Sequence, residues 1–165
     1  MFIRALLLLS VLLLSACGFH LRGDVGMPFT TLYLDSGGGN SPLINDLRRN
    51  LASNKVTLVN QAEQAQVVLQ IVSELADKQI LTLSGAGRVN EFQLRYRVSV
   101  HAYDLKHNTW IPAEEMYIYR NFSYDDTKIL AKESEEALLF QSMRSDMVQQ
   151  ILRRLSRAKP VPSTD

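Results

Sequence analysis

The chain has 165 residues, 46% of them hydrophobic, with eighteen basic against seventeen acidic side chains and a formal charge of +1. That length suits one domain of ordinary size. The near-neutral balance provides no global basic field, which argues against nucleic acid as a partner, and one cysteine alone cannot form an intramolecular disulfide.

Residues 1–16 open with Arg4, continue as a Leu-rich run from Ala5 to Leu14 and close on Ser15-Ala16. One charge, an apolar run and small residues make a secretory signal. The run is too short to span a bilayer, which needs about 20 apolar residues. Cys17 follows at once. Small side chains let a processing enzyme reach the backbone before a cysteine that will carry acyl chains. The expectation is a bacterial lipoprotein, cut before Cys17 and tied to a membrane through N-terminal acyl chains. Losing Arg4 leaves eighteen minus one, or seventeen, basic residues against seventeen acidic ones, so the mature chain is formally neutral. Several acyl chains hold a protein on a bilayer stably where one holds it marginally.

Residues 17–28 read as the acylated cysteine and a linker. Gly18, Gly23, Gly26 and Pro28 break any regular pattern, while Phe19 and Leu21 are able to dock on a domain. Residues 30–35 alternate and favour a strand. A glycine loop follows. Ser41-Pro42 then supplies an N-cap and a first-turn proline. Leu43, Ile44, Leu47 and Leu51 recur at helical spacing, which predicts an amphipathic helix ending at Asn54 or Lys55.

Residues 56–59 are a short apolar run, either a strand or a return to the sheet, and residues 61–66 form a polar turn. Residues 67–83 make a long strand whose alternation slips near residues 77–79, the mark of a bulge. Ser84-Gly85-Ala86-Gly87-Arg88 is a hairpin turn. Between Asn90 and Asp104, Phe92, Leu94, Tyr96, Val98, Val100 and Ala102 share one face, and Glu91, Gln93, Arg95, Arg97, Ser99, His101 and Tyr103 share the other. Such alternation marks an antiparallel sheet with one buried and one polar face. A last strand is expected over residues 116–124. A long helix then runs to about Arg157, with Asp125-Asp126-Thr127 as caps and Ser134 as an alternative start. Its apolar stripe is Leu130, Ala137, Phe140, Met143, Met147, Ile151 and Leu155. Pro160 and Pro162 end regular structure, and residues 159–165 are expected to be a disordered tail. The fold class is therefore α+β: a two-layer sandwich of a mostly antiparallel four-stranded sheet with two helices on one face, in one domain over residues 29–158.

No catalytic constellation stands out, and no cofactor or metal is called for. His101, Asp104 and His107 straddle a strand end and a turn and read as solvated surface. Gly37-Gly38-Gly39 lacks the Lys-Ser/Thr of a phosphate loop. Two features invite an anionic ligand. Arg95, Arg97 and Arg120 lie on strands and Arg88 at a hairpin tip, where guanidinium groups take phosphate or carboxylate bidentately. The bland alternative is neutralisation by Glu91, Asp104 and their neighbours. Lys132 stands near a helix N-terminus, where a cation is disfavoured by about 0.3–1 kcal/mol. It has either a ligand role or a partner among Glu133, Glu135 and Glu136.

Cys17-Gly18-Phe19-His20-Leu21-Arg22-Gly23 resembles the start of mature LptE, the lipopolysaccharide-assembly lipoprotein family of Gram-negative outer membranes. Leu34-Asp35-Ser36-Gly37 with Pro42-Leu43, Asn90-Glu91-Phe92-Gln93-Leu94, Tyr119-Arg120-Asn121-Phe122 and Leu130-Ala131-Lys132-Glu133 resemble further segments of that family in order. The resemblance implies a non-enzymatic outer-membrane lipoprotein on the periplasmic side. It would sit inside the lumen of the LptD β-barrel, bind lipopolysaccharide, and assist both its delivery to the outer leaflet and assembly of the barrel. By position, Lys132 matches a basic residue linked with lipopolysaccharide binding, and the hairpin tip is the other such region. There Gly85 stands where a basic residue is found in the family, and Arg88 lies three residues on. The competing expectation is a general periplasmic scaffold that binds other envelope proteins through its exposed sheet face.

Overall fold

The computed structural model describes residues 26–162. The signal segment 1–16, Cys17, the linker up to Val25 and residues 163–165 lie outside the described residues. Five strands and two helices follow in order: β1 (Thr31–Asp35), α1 (Pro42–Ser53), β2 (Thr57–Leu58), β3 (Val67–Leu83), β4 (Val89–Tyr103), β5 (Thr109–Ser123) and α2 (Ile129–Arg157).

The α+β class holds, but the sheet is five-stranded and mixed, in the order β2-β1-β3-β4-β5. β1 pairs in parallel with both β2 and β3, while β3–β4 and β4–β5 are antiparallel. The expectation of a mostly antiparallel four-stranded sheet is corrected by the 56–59 run. Val56 is buried, and Thr57 and Leu58 pair with Thr31 and Leu32. α1 provides the crossover that a parallel pair requires. Two paired residues leave too short an alternation to be read from sequence.

α1 starts as expected: Ser41 Oγ accepts the Ile44 N–H at 3.3 Å and Pro42 occupies the first turn. It buries Leu43, Ile44, Leu47 and Leu51. α2 begins at Ile129, not Ser134, after a single 3-10 turn at Asp126–Lys128. Asp125 Oδ1 accepts from the Thr127 N–H at 3.0 Å and its hydroxyl at 2.7 Å, which starts that turn. At 29 residues α2 is about 44 Å long. Its buried residues begin only at Met143 and continue through Met147, Val148, Ile151, Leu152 and Leu155. These pack with α1 on the inner sheet face, where Leu94, Tyr96, Val98, Val100 and Ala102 of β4 are buried. Each such aliphatic side chain contributes about 1.5–3 kcal/mol by leaving water.

The bulges of β3 are not at residues 77–79. Asp77, Lys78 and Gln79 pair in register with Arg95, Leu94 and Gln93. The register slips at Val72 and again at Leu81, each an extra residue on β3 opposite β4. After Val72 the inner face passes to Glu74, Ala76, Lys78 and Ile80, and Leu75 turns outward opposite Arg97. β5 starts seven residues earlier than residue 116. It passes through Pro112, where Val100 pairs with Glu114 but Ala102 with Ile111. A proline is tolerated there because β5 is an edge strand with an irregular register.

The tail also departs from expectation within its described part. Val161 forms an antiparallel bridge with Thr109: each N–H donates to the other's carbonyl, at 2.8 and 2.9 Å. Two lengths of sheet edge stay open. β1 covers β3 only as far as Gln70, and the outward side of β5 carries no strand beyond Thr109 among the described residues.

Candidate functional site

The long β3–β4 hairpin and the first turns of α2 meet at one end of the sandwich. The hairpin closes with a Gly87 N–H to Ser84 carbonyl bond of 2.9 Å, and Gly87 sits at φ +75°, where a side chain would be strained. Arg88 leaves this turn with its guanidinium 3.6 Å from Asp126, both groups exposed. Between the tip and the start of α2 lies a cleft of about 510 Å³, lined by Ser84, Ala86, Arg88, Asn90, Tyr124 and Asp126 among others.

Beneath that cleft an aromatic floor crosses the sheet. Phe92 stacks on Phe122 with ring centroids 6.0 Å apart and meets Tyr124 edge-on at 5.1 Å. Lys78 Nζ stands 5.0 Å over Phe92 and pairs with Glu136 at 2.6 Å. Lys132 Nζ stands 5.6 Å over Phe122, donates to Ser123 Oγ at 3.2 Å and pairs with Glu135 at 2.8 Å. Its side chain is only 15% exposed. Such cation–ring contacts offset the unfavourable helix-dipole position. Ile80, Leu83, Ile129 and Leu130 are exposed on elements that reach this end, Leu130 at 80%. Cations, a ring floor and uncovered aliphatics therefore stand together. Each cation has a carboxylate partner, and the exposed Arg88–Asp126 pair is of the weak kind that an incoming phosphate exchanges readily.

The other predicted arginines are elsewhere. Arg95 and Arg97 lie on the outer sheet face, where Asp77 holds both. Arg95 donates through Nε and Nη2 at 2.7 and 3.1 Å, and Arg97 through Nη2 at 3.3 Å. The hydrogen bond from Arg95, with its charge and that of Arg97, keeps the Asp77 carboxyl below the usual range against the opposing effect of burial. The neutralising acid is Asp77, not Glu91, which accepts from Thr82, nor Asp104. Asp104 accepts from the N–H groups of Lys106 and Asn108 and from the side chains of Asn108 and Trp110, which closes the β4–β5 turn. Arg120 faces the helix layer and pairs with Asp146 of α2 at 2.8 Å. Next to the arginines, Gln79, Gln93 and Asn121 form a hydrogen-bonded ladder at 3.0 and 3.2 Å, and Tyr117 and Tyr119 lie exposed 5.4 Å apart.

The match to the lipopolysaccharide-assembly model LptE runs over residues 29–155, which takes in every described strand and nearly all of α2. The chain belongs to the LptE family. Among LptE relatives, the LPS-assembly lipoprotein LptE of Yersinia pestis (strain Pestoides F) is 31% identical over 158 residues, covering 91% of this chain and 73% of its own. That of Pectobacterium atrosepticum is 29% identical over 155 residues, covering 89% and 80%. In solved structures, lipoprotein B from Nitrosomonas europaea has a TM-score of 0.73 at 37% identity, over 84% of this chain and 90% of that one. The rare lipoprotein B from Shewanella oneidensis gives 0.65 at 27%, over 75% and 92%. No helix among the described residues is long and apolar enough to cross a membrane.

Within this LptE fold, Lys78 and the Phe92–Phe122–Tyr124 floor are site features that the sequence reading missed. Lys78 reaches the inner face only because the bulge at Val72 reverses the alternation. Two aromatics of the floor were legible, since Phe122 and Tyr124 are spaced by two within the strand expected over residues 116–124, although β5 itself ends at Ser123.

Proposed function

We propose that this lipoprotein acts without catalysis, as the plug of the LptD β-barrel, binding lipopolysaccharide at the hairpin-tip end and assisting its delivery to the outer leaflet and assembly of the barrel. Acylated Cys17 holds it at the periplasmic side of the outer membrane while the domain enters the barrel lumen. The observation that carries the reading is the union of Arg88, Lys132 and Lys78 with an aromatic floor and exposed Leu130 and Ile80 at one end. A phosphorylated amphiphile needs cationic donors for its phosphates beside apolar surface for its chains. Membership of a lipopolysaccharide-assembly family supports that ligand class. The outer sheet face, polar and hydrogen-bonded across three strands, suits the wet interior of a large barrel.

The test is co-expression with the barrel and extraction in detergent. The two are expected to elute as one stable complex. Elution of this chain alone beside a normally folded barrel rejects the plug. Capture of other envelope proteins through the Tyr117–Tyr119 face, with no lipopolysaccharide bound in a direct titration, would instead favour the general scaffold.

A further inference from the structure

At the opposite end, the bridge between Val161 and Thr109 holds the chain's last described residues beside the β4–β5 turn. Two aliphatics, Leu105 in the turn and Val161 in the tail, are 52% and 60% exposed. Four cations lie on the elements that meet at this end: Lys106 in the turn, Lys159 in the tail, and Arg153 and Arg157 in the last turns of α2. Among the described residues none of these four makes an ion pair, whereas Arg154 is tied to Glu114. Asp104, the nearest acid of the turn, is consumed by four hydrogen bonds. Trp110 closes the group: it lines a cleft of about 360 Å³ with Arg153 and Arg157 and packs edge-on against Phe29, centroids 5.8 Å apart.

We propose that this end docks on the anionic phospholipid headgroups of the leaflet that holds the acyl chains. The inference rests on Cys17 being the anchor. Phe29 places the entry of the chain here, and eight residues separate Cys17 from Gly26, a span of nine Cα–Cα steps. Nine such steps reach at most about 30 Å, so the tether holds this end within that distance of the bilayer. A helix C-terminus favours cations for its own dipole. That accounts for arginines in the last turn, but not for two exposed aliphatics beside unpaired cations on two further segments. That combination is how a protein surface sits at a headgroup boundary, with apolar tips inserted and cations against phosphate. The hairpin tip lies roughly 45 Å away along β4. Docking therefore stands the domain upright while it is outside the barrel, with the Arg88–Lys132 end directed into the periplasm, and entry into the lumen releases it.

The test uses the mature chain from residue 17 carrying Cys17→Ser, so that no acyl chain contributes; the whole core lies between Phe29 and Leu155. Co-sedimentation is measured with vesicles of phosphatidylcholine alone and of phosphatidylcholine mixed with phosphatidylglycerol. Binding is expected only to the mixed vesicles and to fall as salt screens it. Each cation near an anionic surface is worth about fivefold in partition. Arg157→Gln should therefore cost about that factor, and Lys128→Gln, an exposed cation at the far end, nothing. Leu105→Asp should weaken binding with an unchanged melting temperature. Absent binding, equal binding to both vesicles, or equal loss from Arg157→Gln and Lys128→Gln overturns the proposal. So does displacement by inorganic phosphate at constant ionic strength, which would mark a free-phosphate site. Neither lipopolysaccharide nor barrel is present, so failure here leaves the plug reading standing, and failure of barrel co-elution leaves this one standing.

Discussion

Asp77 accepts two hydrogen bonds from Arg95, at 2.7 and 3.1 Å, in the middle of the outer sheet face. Its folded carboxyl stays ionised to lower pH than the ordinary value of 3.8. A depressed carboxylate stabilises the fold fully above the unfolded value and loses that contribution as pH falls through the folded one. Asp77→Asn should therefore be less stable than the parent at neutral pH, because it also leaves Arg95 and Arg97 facing each other. The gap should shrink as pH drops below about 3.8. Urea midpoints measured across that range decide it. A gap independent of pH would mean that the pair contributes through packing alone.

Tyr96 shows the opposite sign. Its hydroxyl donates to Glu74 at 2.5 Å from a buried position on the inner face. Burial, and then the neighbouring carboxylate, raises its ionisation well above the usual tyrosine value of 10.0. The neutral hydroxyl thus stabilises the fold below that pH. As pH rises past it, the unfolded chain ionises and the contribution is lost. Tyr96→Phe should cost about 1–2 kcal/mol at neutral pH, a hydrogen bond to a half-buried charge. The parent's advantage over the variant should decline above about pH 10. Chemical denaturation of both chains at neutral and alkaline pH is the measurement.

The two halves of α2 should respond differently to the same substitution. Ile151 is fully buried between sheet and α1, and Leu130 is 80% exposed. Ile151→Ala should cost about 2–5 kcal/mol. Leu130→Ala should stay within about 0.5 kcal/mol, with the small gain in helix propensity in its favour. Thermal melts of the two variants separate them. A large loss at Leu130 would mean that its first turns are packed more tightly than their exposure shows.

That contrast also marks how far the sequence could be read. Periodicity placed Leu130 and Ile151 on one stripe, because it reports which way a side chain faces. It does not report how far the neighbouring element extends. α1 runs beside the C-terminal half of α2, where Asp46 pairs with Arg144 at 2.9 Å and Asn50 with Gln149 at 3.3 Å, and the first turns of α2 outrun it. β4 was legible throughout because its alternation is unbroken from Phe92 to Ala102. β3 was legible as a strand but not in its faces, since one extra residue at Val72 inverts everything after it. The cluster at the hairpin tip followed the same logic. Arg88 and Lys132 were marked by turn position and helix position. Lys78 was hidden by a register shift, and the Asp77 partner of Arg95 stands eighteen residues away on another strand.

The tip cluster yields the remaining prediction. Arg88→Glu with Lys132→Glu should weaken lipopolysaccharide binding more than tenfold, since a charge-assisted contact to phosphate is worth about 1.5–3 kcal/mol. The substitution at 132 is well suited to the purpose because its effects on the fold oppose one another. It places an acid near the start of α2, favourable by about 0.3–1 kcal/mol. It also removes the contact over Phe122, worth about 0.5–1 kcal/mol, and sets a like charge beside Glu135. Arg88, at 72% exposure, holds Asp126 only loosely. The melting temperature should therefore stay near that of the parent while a direct titration with lipopolysaccharide loses affinity. Restoring one cation at a time apportions the loss between tip and helix. Affinity unchanged in the double variant removes both residues from the site and moves the search to Lys78 and the aromatic floor beneath it.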